Sequence, residues 1–261
     1  MDKNTLNYLE IAIVEHCNLN CKGCSHFSPL VKNKEYVGKD EFEKDIRRMK
    51  ELFPDIIRIR ILGGEPLLNP DLADILRSVR YYYPYAEISV VTNGLLIPKL
   101  EKEVLQSLKK THIGFDISQY KPTSMVRDSI EAILVEHNIS YEFTEKIETF
   151  RKRVSLKGEE DVVQSYEACN CKKCKYLFRG LLSGCPAPNV VRIFDATFGT
   201  KLHEESDVIP IHDTTMSADE IYKKITSPLK SCRYCSETEL FLWETRVGES
   251  SINDWVIMEK E

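Results

Sequence analysis

Cys17-Asn18-Leu19-Asn20-Cys21-Lys22-Gly23-Cys24 places three thiols within eight residues, at C-x3-C-x2-C spacing. A cubane iron–sulfur cluster takes four cysteine ligands. Three ligands from one tight loop leave one iron open for chemistry, much as catalytic zinc sites keep an open position. The apolar run Tyr8–Val14 precedes the loop and reads as a buried strand. The thiols thus follow the carboxyl end of a first strand, where α/β barrels build their active sites. The same spacing also admits a structural zinc knuckle, with His16 or His26 completing a closed tetrahedron.

A second motif, Gly63-Gly64-Glu65-Pro66, follows the apolar stretch Ile56–Leu62. Zinc binding leaves it unexplained. Together the two motifs resemble those of the radical S-adenosylmethionine (radical SAM) enzymes, with their C-x3-C-x2-C loop and GGE turn. The resemblance implies a [4Fe–4S] cluster on Cys17, Cys21 and Cys24, with S-adenosylmethionine chelating the open iron. It implies that Gly63 and Gly64 meet the methionine end of the cofactor. Glu65 then sits near the ammonium or fixes the loop. The family often carries an aromatic residue before the third cysteine, packed on adenine; here that residue is Gly23, so His26 or Phe27 is expected to supply the contact. Thr92-Asn93-Gly94 resembles the family's TNG turn, with Asn93 either touching cofactor or serving as a left-handed turn residue. Asp116 and Ser118, at the end of a later strand, resemble residues that bind the cofactor's ribose or carboxylate; a plain turn is the alternative.

The chain has 261 residues and a formal net charge of −5, enough for one large domain with a small appendage. No basic block points to nucleic acid. No 18-residue apolar run and no signal peptide stand out, since Met1-Asp2-Lys3-Asn4 leads straight into a strand, so a cytoplasmic protein without a membrane partner is expected. Nine cysteines, in sets at 17–24, 169–185 and 232–235, read as metal ligands in a reducing compartment rather than as a disulfide framework.

Strand and helix patterns alternate five times before residue 145. The predicted strands are Tyr8–Val14, Ile56–Leu62, Ala86–Val91, His112–Ile117 and Ile139–Phe143. The predicted helices are Asp40–Phe53, with an Asp40/Glu43 capping box, then one from Asn69-Pro70, then Pro98–Leu108 and Thr123–Glu136. Such alternation gives a parallel sheet. Val190–Phe194 reads as a sixth strand. A doubly wound sheet is the competing topology; the resemblance implies a partial (β/α)6 barrel. Residues 1–165 are expected to form the core domain and 166–261 an auxiliary domain. The polar stretch from Glu145 to Glu167 reads as a solvated connection or flap, whose arginines could close over an anionic substrate.

The second cysteine set surrounds Tyr176–Ser183, which reads as a hairpin turning near Gly180. Cys174 and Cys185 then lie nearly opposite each other. With Cys232 and Cys235 they make a closed four-thiolate site for a second cubane or for zinc. The arrangement resembles the twitch form of the SPASM appendage in radical SAM enzymes. The spacing usual there points to Cys169 as first ligand, whereas hairpin symmetry points to Cys174. Ser217 to Glu220 caps a further helix. The aromatic tail, with Trp243 and Trp255, reads as core, and His203 and His212 as surface residues.

The resemblance implies reductive cleavage of S-adenosylmethionine to a 5′-deoxyadenosyl radical, fed by a flavodoxin- or ferredoxin-type donor. The auxiliary cluster would accept an electron, so oxidation or epimerisation of a small, sugar-like substrate is expected. The twitch-bearing family includes an aminocyclitol dehydrogenase of this size. Peptide maturation is the alternative enzyme reading, and an iron–sulfur or zinc-binding interaction protein the non-enzymatic one.

Overall fold

The computed structural model describes residues 5–257, so Met1–Asn4 lie outside the described residues. The chain forms two compact units. One comprises the N-terminal strand up to Val14 together with Glu35–Glu148; the other comprises Glu15–Lys34 and the chain from Thr149 onward.

The first unit alternates as expected. Strands β1 (Thr5–Ala12), β2 (Asp55–Leu62), β3 (Glu87–Thr92), β4 (Gly114–Ile117) and β5 (Tyr141–Phe143) pair in parallel in that order. Helices α1 (Lys39–Leu52), α2 (Leu72–Tyr82) and α3 (Lys102–Thr111) follow the first three strands. Ile59, Ile61 and Val90 on the strands, with Ile46, Met49, Ile75 and Val79 on the helices, are fully buried. That apolar burial drives the unit together. The intervening strand residues Arg58 and Arg60 project from the opposite face, because side chains alternate along a strand.

Some boundaries differ from the sequence reading, for local reasons. The Asp40/Glu43 capping box does not form. Gly38 is the N-cap, and the Lys39 amide donates instead to Asp71 Oδ2 at 2.9 Å. Glu43 accepts from the Ser78 and Tyr82 hydroxyls. The stretch 98–108 begins with a 3-10 turn, Ile97–Lys99, before α3. Thr123–Glu136 is two helices, α4 (Lys121–Met125) and α5 (Arg127–Glu136), because Val126 leaves helical geometry between them.

The second unit contains β6 (Thr149–Val154), α6 (Val162–Ala168), β7 (Lys175–Phe178), β8 (Leu181–Ser183), α7 (Ala187–Phe198), β9 (Val208–Pro210), α8 (Ala218–Ile225) and β10 (Cys235–Leu242). The hairpin β7–β8 is present, closed by Arg179 and Gly180 at φ 47° and 69°. Two positive φ values in a two-residue turn suit the right-handed twist of the strands. β9 extends the hairpin, and β6 pairs antiparallel with β10, so the stretch expected to be a loose connection is partly strand. Ser217 and Glu220 form the expected capping box.

Val190–Phe194 is helix, not a sixth strand. Its β-branched content suggested a strand. Prolines at 186 and 188 suit a first helical turn, the buried residues Val190, Val191 and Phe194 fall on one helical face, and Gly199 at φ 71° ends the helix. Among the described residues, no helix is long and apolar enough to cross a membrane.

Candidate active site

In the first unit the site is built at the end of β2. Gly63 has φ 145°, and a Cβ there would lie 2.0 Å from the Val14 carbonyl oxygen. Only glycine lets the backbone approach that closely. The Gly64 amide donates to the same oxygen at 2.8 Å. Glu65 is fully buried. It accepts from Thr92 Oγ1 at 2.6 Å, the Asn93 amide at 2.9 Å and the Leu67 amide at 3.1 Å. Of the two roles open to Glu65, these bonds serve the one of fixing the loop: they tie the end of β2 to the end of β3.

Asn93 is buried, and its Oδ1 accepts from the Leu95 amide at 3.1 Å. The left-handed residue of this turn is Gly94, at φ 78°. Asp116 accepts from Ser89 Oγ at 2.8 Å and pairs with Arg60 at 2.9 Å, a partner that the strand pattern did not reveal. Ser118 donates its amide to the Thr92 carbonyl at 2.8 Å.

Burial raises the Glu65 pKa to about 7, against the three donors that pull it down. The folded protein therefore holds this proton more tightly than the unfolded chain. Its contribution to stability is full below the ordinary carboxylate value of 4.5 and is lost as pH rises toward about 7. Glu65→Gln is expected to remove that slope. It also turns an amide N–H₂ toward either the Asn93 amide or the Thr92 and Leu67 donors, at a cost of about 1–3 kcal/mol. Urea denaturation of both apoproteins across this pH window checks it; equal pH slopes would contradict the assignment.

In the second unit the C-x3-C-x2-C loop is held by residues 244–255, a contact that sequence reasoning missed. Lys22 donates its amide to the Glu244 carbonyl at 3.0 Å, and the Arg246 amide donates to the Asn20 carbonyl at 2.7 Å. Asn20 Nδ2 returns a bond to the Arg246 carbonyl, and Trp255 Nε1 donates to the Cys24 carbonyl at 2.7 Å. Trp255 is core, as expected, in tilted and edge contacts with Phe27, Phe194 and Phe198. Phe27 is buried in that aromatic group, which leaves His26 as the candidate for an adenine contact.

Burial pushes the Cys21 thiol up to about 12 and also raises Cys24. Backbone N–H groups of His26, Phe27 and Ser28 oppose the rise at Cys24. Buried thiols flanked by N–H donors are poor free acids but good cluster ligands, since a metal displaces the proton. Among the described residues, buried His26 Nε2 has no hydrogen-bond partner, and burial lowers its pKa to about 4, so the ring is neutral. Both features fit a cluster and an adjoining organic ligand.

In the second cysteine set four thiols act on one another electrostatically. Cys185 is raised by burial and then by Cys235, Cys232 and Cys169; Cys235 is raised by burial and then by Cys232 and Cys169; Cys232, too, feels Cys169. All pairs among Cys169, Cys185, Cys232 and Cys235 therefore interact. Hairpin symmetry led to Cys174, but the paired register stops at Tyr176 and Ser183. Before it the chain runs through a 3-10 segment, Asn170–Lys173; Cys174 acts on Cys171 and on Lys175, and Lys175 also feels Cys185. Asp207 accepts from the Lys230 and Ser231 amides and fixes the turn bearing Cys232. His203 is half-buried, its Nδ1 3.0 Å from the Pro188 carbonyl. Among the described residues, no three His, Cys, Asp or Glu side chains are grouped to hold a single metal ion. A cubane places its thiolates on separate irons and does not require such a group.

A family model for the radical SAM superfamily matches residues 11–156, over half of the chain. The chain belongs to the radical SAM superfamily. Radical SAM proteins bind a [4Fe–4S] cluster and S-adenosylmethionine. Similar to this radical SAM chain is the GTP 3',8-cyclase of Campylobacter jejuni, 24% identical over 257 residues that cover 90% of this chain and 77% of that one. The structure of BtrN in complex with AdoMet and 2-DOIA matches with a TM-score of 0.53 at 16% identity, covering 89% of this chain and 93% of that one. At such identity the likeness is one of fold, and it agrees with a partial α/β barrel built on a parallel sheet. Streptococcus suis SuiB bound to precursor peptide SuiA matches with a TM-score of 0.42 at 19% identity; the match covers 54% of this chain and a third, 33%, of that protein.

Proposed function

We propose that this radical SAM enzyme carries a second [4Fe–4S] cluster, in a twitch-like C-terminal segment, and oxidises or epimerises a carbon of a small, sugar-like substrate. The observation that supports the second cluster is the mutual interaction of Cys169, Cys185, Cys232 and Cys235. Cys17, Cys21 and Cys24 would hold the first cluster. When bound, that cluster and S-adenosylmethionine supply hydrogen-atom abstraction, and the second cluster supplies an electron acceptor.

The chain's own residues position and shield. The Gly63-Gly64 turn presents bare backbone to the amino-acid end of the cofactor. His26 offers a neutral, desolvated ring to adenine. Asn93 and Ser118 lie at strand ends suited to the cofactor's polar groups, and Arg60 holds Asp116 in place there. In oxidation the substrate carbon loses a hydrogen atom, then one electron, while its hydroxyl proton passes to solvent, leaving a carbonyl. A flavodoxin- or ferredoxin-type protein is the expected source of the initiating electron.

A second reading, cyclisation of a nucleotide such as GTP, is favoured by the similarity to GTP 3',8-cyclase along 90% of the chain. Anaerobic reconstitution followed by reduction with S-adenosylmethionine separates the two. The expected result is 5′-deoxyadenosine, with a product lacking two hydrogens, or an epimer, from a panel of cyclitols and sugars. A cyclised isomer formed from GTP would replace the first reading by the second.

A further inference from the structure

The second cysteine set has two cations at its edge. Arg153, on β6, donates from Nη1 to Cys171 Sγ at 3.4 Å, and its guanidinium also acts on Cys169 and Cys235. Lys175, the first residue of β7, is only 8% exposed. Its ammonium donates to the carbonyls of Lys172 at 2.5 Å and Gly184 at 3.5 Å, and acts on Cys185 and Cys174. Among the described residues, neither cation pairs with a carboxylate. Glu160 and Asp207 lie near enough to act on Cys235 and Cys232 in the opposite sense.

A buried cation without an anionic partner is costly. Protonated thiols do not offset that cost, because they are neutral. A cubane bound by four thiolates does, because it is anionic and gains a further negative charge when reduced. A nearby positive charge therefore favours the reduced form, and cluster potentials follow net charge and hydrogen bonding around the sulfurs. Arg153 and Lys175 approach the set from different residues: Arg153 bonds Cys171, two residues from Cys169, and Lys175 bonds the Gly184 carbonyl, next to Cys185.

We propose that Arg153 and Lys175 are the charge partners of the second cluster and raise its reduction potential, making it a better acceptor of the substrate's electron. This rests on the reading that a second cluster is present. The experiment uses the full chain with Cys17, Cys21 and Cys24 all replaced by Ala, so that one cluster remains. After anaerobic reconstitution, its midpoint potential is measured by electron paramagnetic resonance during a redox titration. Arg153→Gln and Lys175→Gln are each expected to lower the midpoint with iron unchanged at about four atoms per chain, one cubane. Arg153→Lys, which keeps the charge, is expected to stay near the parent. Unshifted midpoints in fully loaded Gln variants overturn the proposal. A parent chain that binds no iron overturns the second cluster itself. If Lys175→Gln fails to fold, the Arg153 pair decides.

Discussion

Replacing Cys17, Cys21 and Cys24 together by Ala is expected to abolish cleavage of S-adenosylmethionine while leaving a folded protein. The loop does not depend on its thiols alone for its course, although the Leu19 amide donates to Cys17 Sγ at 3.4 Å and three later amides act on Cys24. Its backbone is fastened by the Lys22–Glu244 and Asn20–Arg246 bonds and by the Trp255 indole, and its neighbour Phe27 is packed among aromatic rings. Removing three sulfur atoms leaves those contacts in place, so the secondary structure seen by circular dichroism should be retained. Iron should fall from about eight atoms per chain to about four, by cubane stoichiometry. 5′-Deoxyadenosine should fall to background, because the proposed second cluster, with four thiolates from Cys169, Cys185, Cys232 and Cys235, would have no iron left open for S-adenosylmethionine. Cleavage that survives the triple change would remove the loop from the chemistry.

The next largest effect is expected from Gly63→Ala. The added methyl has to enter space occupied by the Val14 carbonyl oxygen, 2.0 Å away, in a backbone conformation at φ 145° that L-residues rarely adopt. Neither obstacle is the flexible end of a side chain. Backbone strain of about 1–3 kcal/mol adds to overpacking of similar size, so a loss of roughly 2–6 kcal/mol is expected. The turn would shift, and the Gly64–Val14 bond with it. Binding of S-adenosylmethionine, measured by equilibrium dialysis, should weaken together with the denaturation midpoint. Gly199→Ala is the control: φ is 71°, but nothing lies within 4 Å of the added methyl, so strain acts alone. Equal midpoints for the two variants would contradict the steric account.

Much of the first unit was legible because its information is local. Ile56–Leu62 alternates in a way that only a strand satisfies, and the 3.6-residue recurrence of Phe42, Ile46 and Met49 declares a helix. Errors arose where two local rules competed. Val190–Phe194 has the composition of a strand, but Pro188 and Gly199 decide for helix. Asp40 has the chemistry of an N-cap, yet Asp71, from a later part of the chain, performs that task. What could not be read was long-range. Arg60 and Asp116 look like unrelated strand residues until three strands, β2, β3 and β4, are aligned, and the spacing alone offered both Cys169 and Cys174 as partners of Cys185, Cys232 and Cys235.

The clasp on the C-x3-C-x2-C loop sets an order of events during synthesis. Asn20 and Arg246 are 226 residues apart, and Cys24 and Trp255 are 231 apart. The thiols leave the ribosome first, and the residues that brace them follow 226 to 231 positions later. Insertion of iron and sulfide into a braced site thus has to wait until Trp255 has been made, and a nascent chain stalled before it would expose three unsecured thiols to oxidants and adventitious metals.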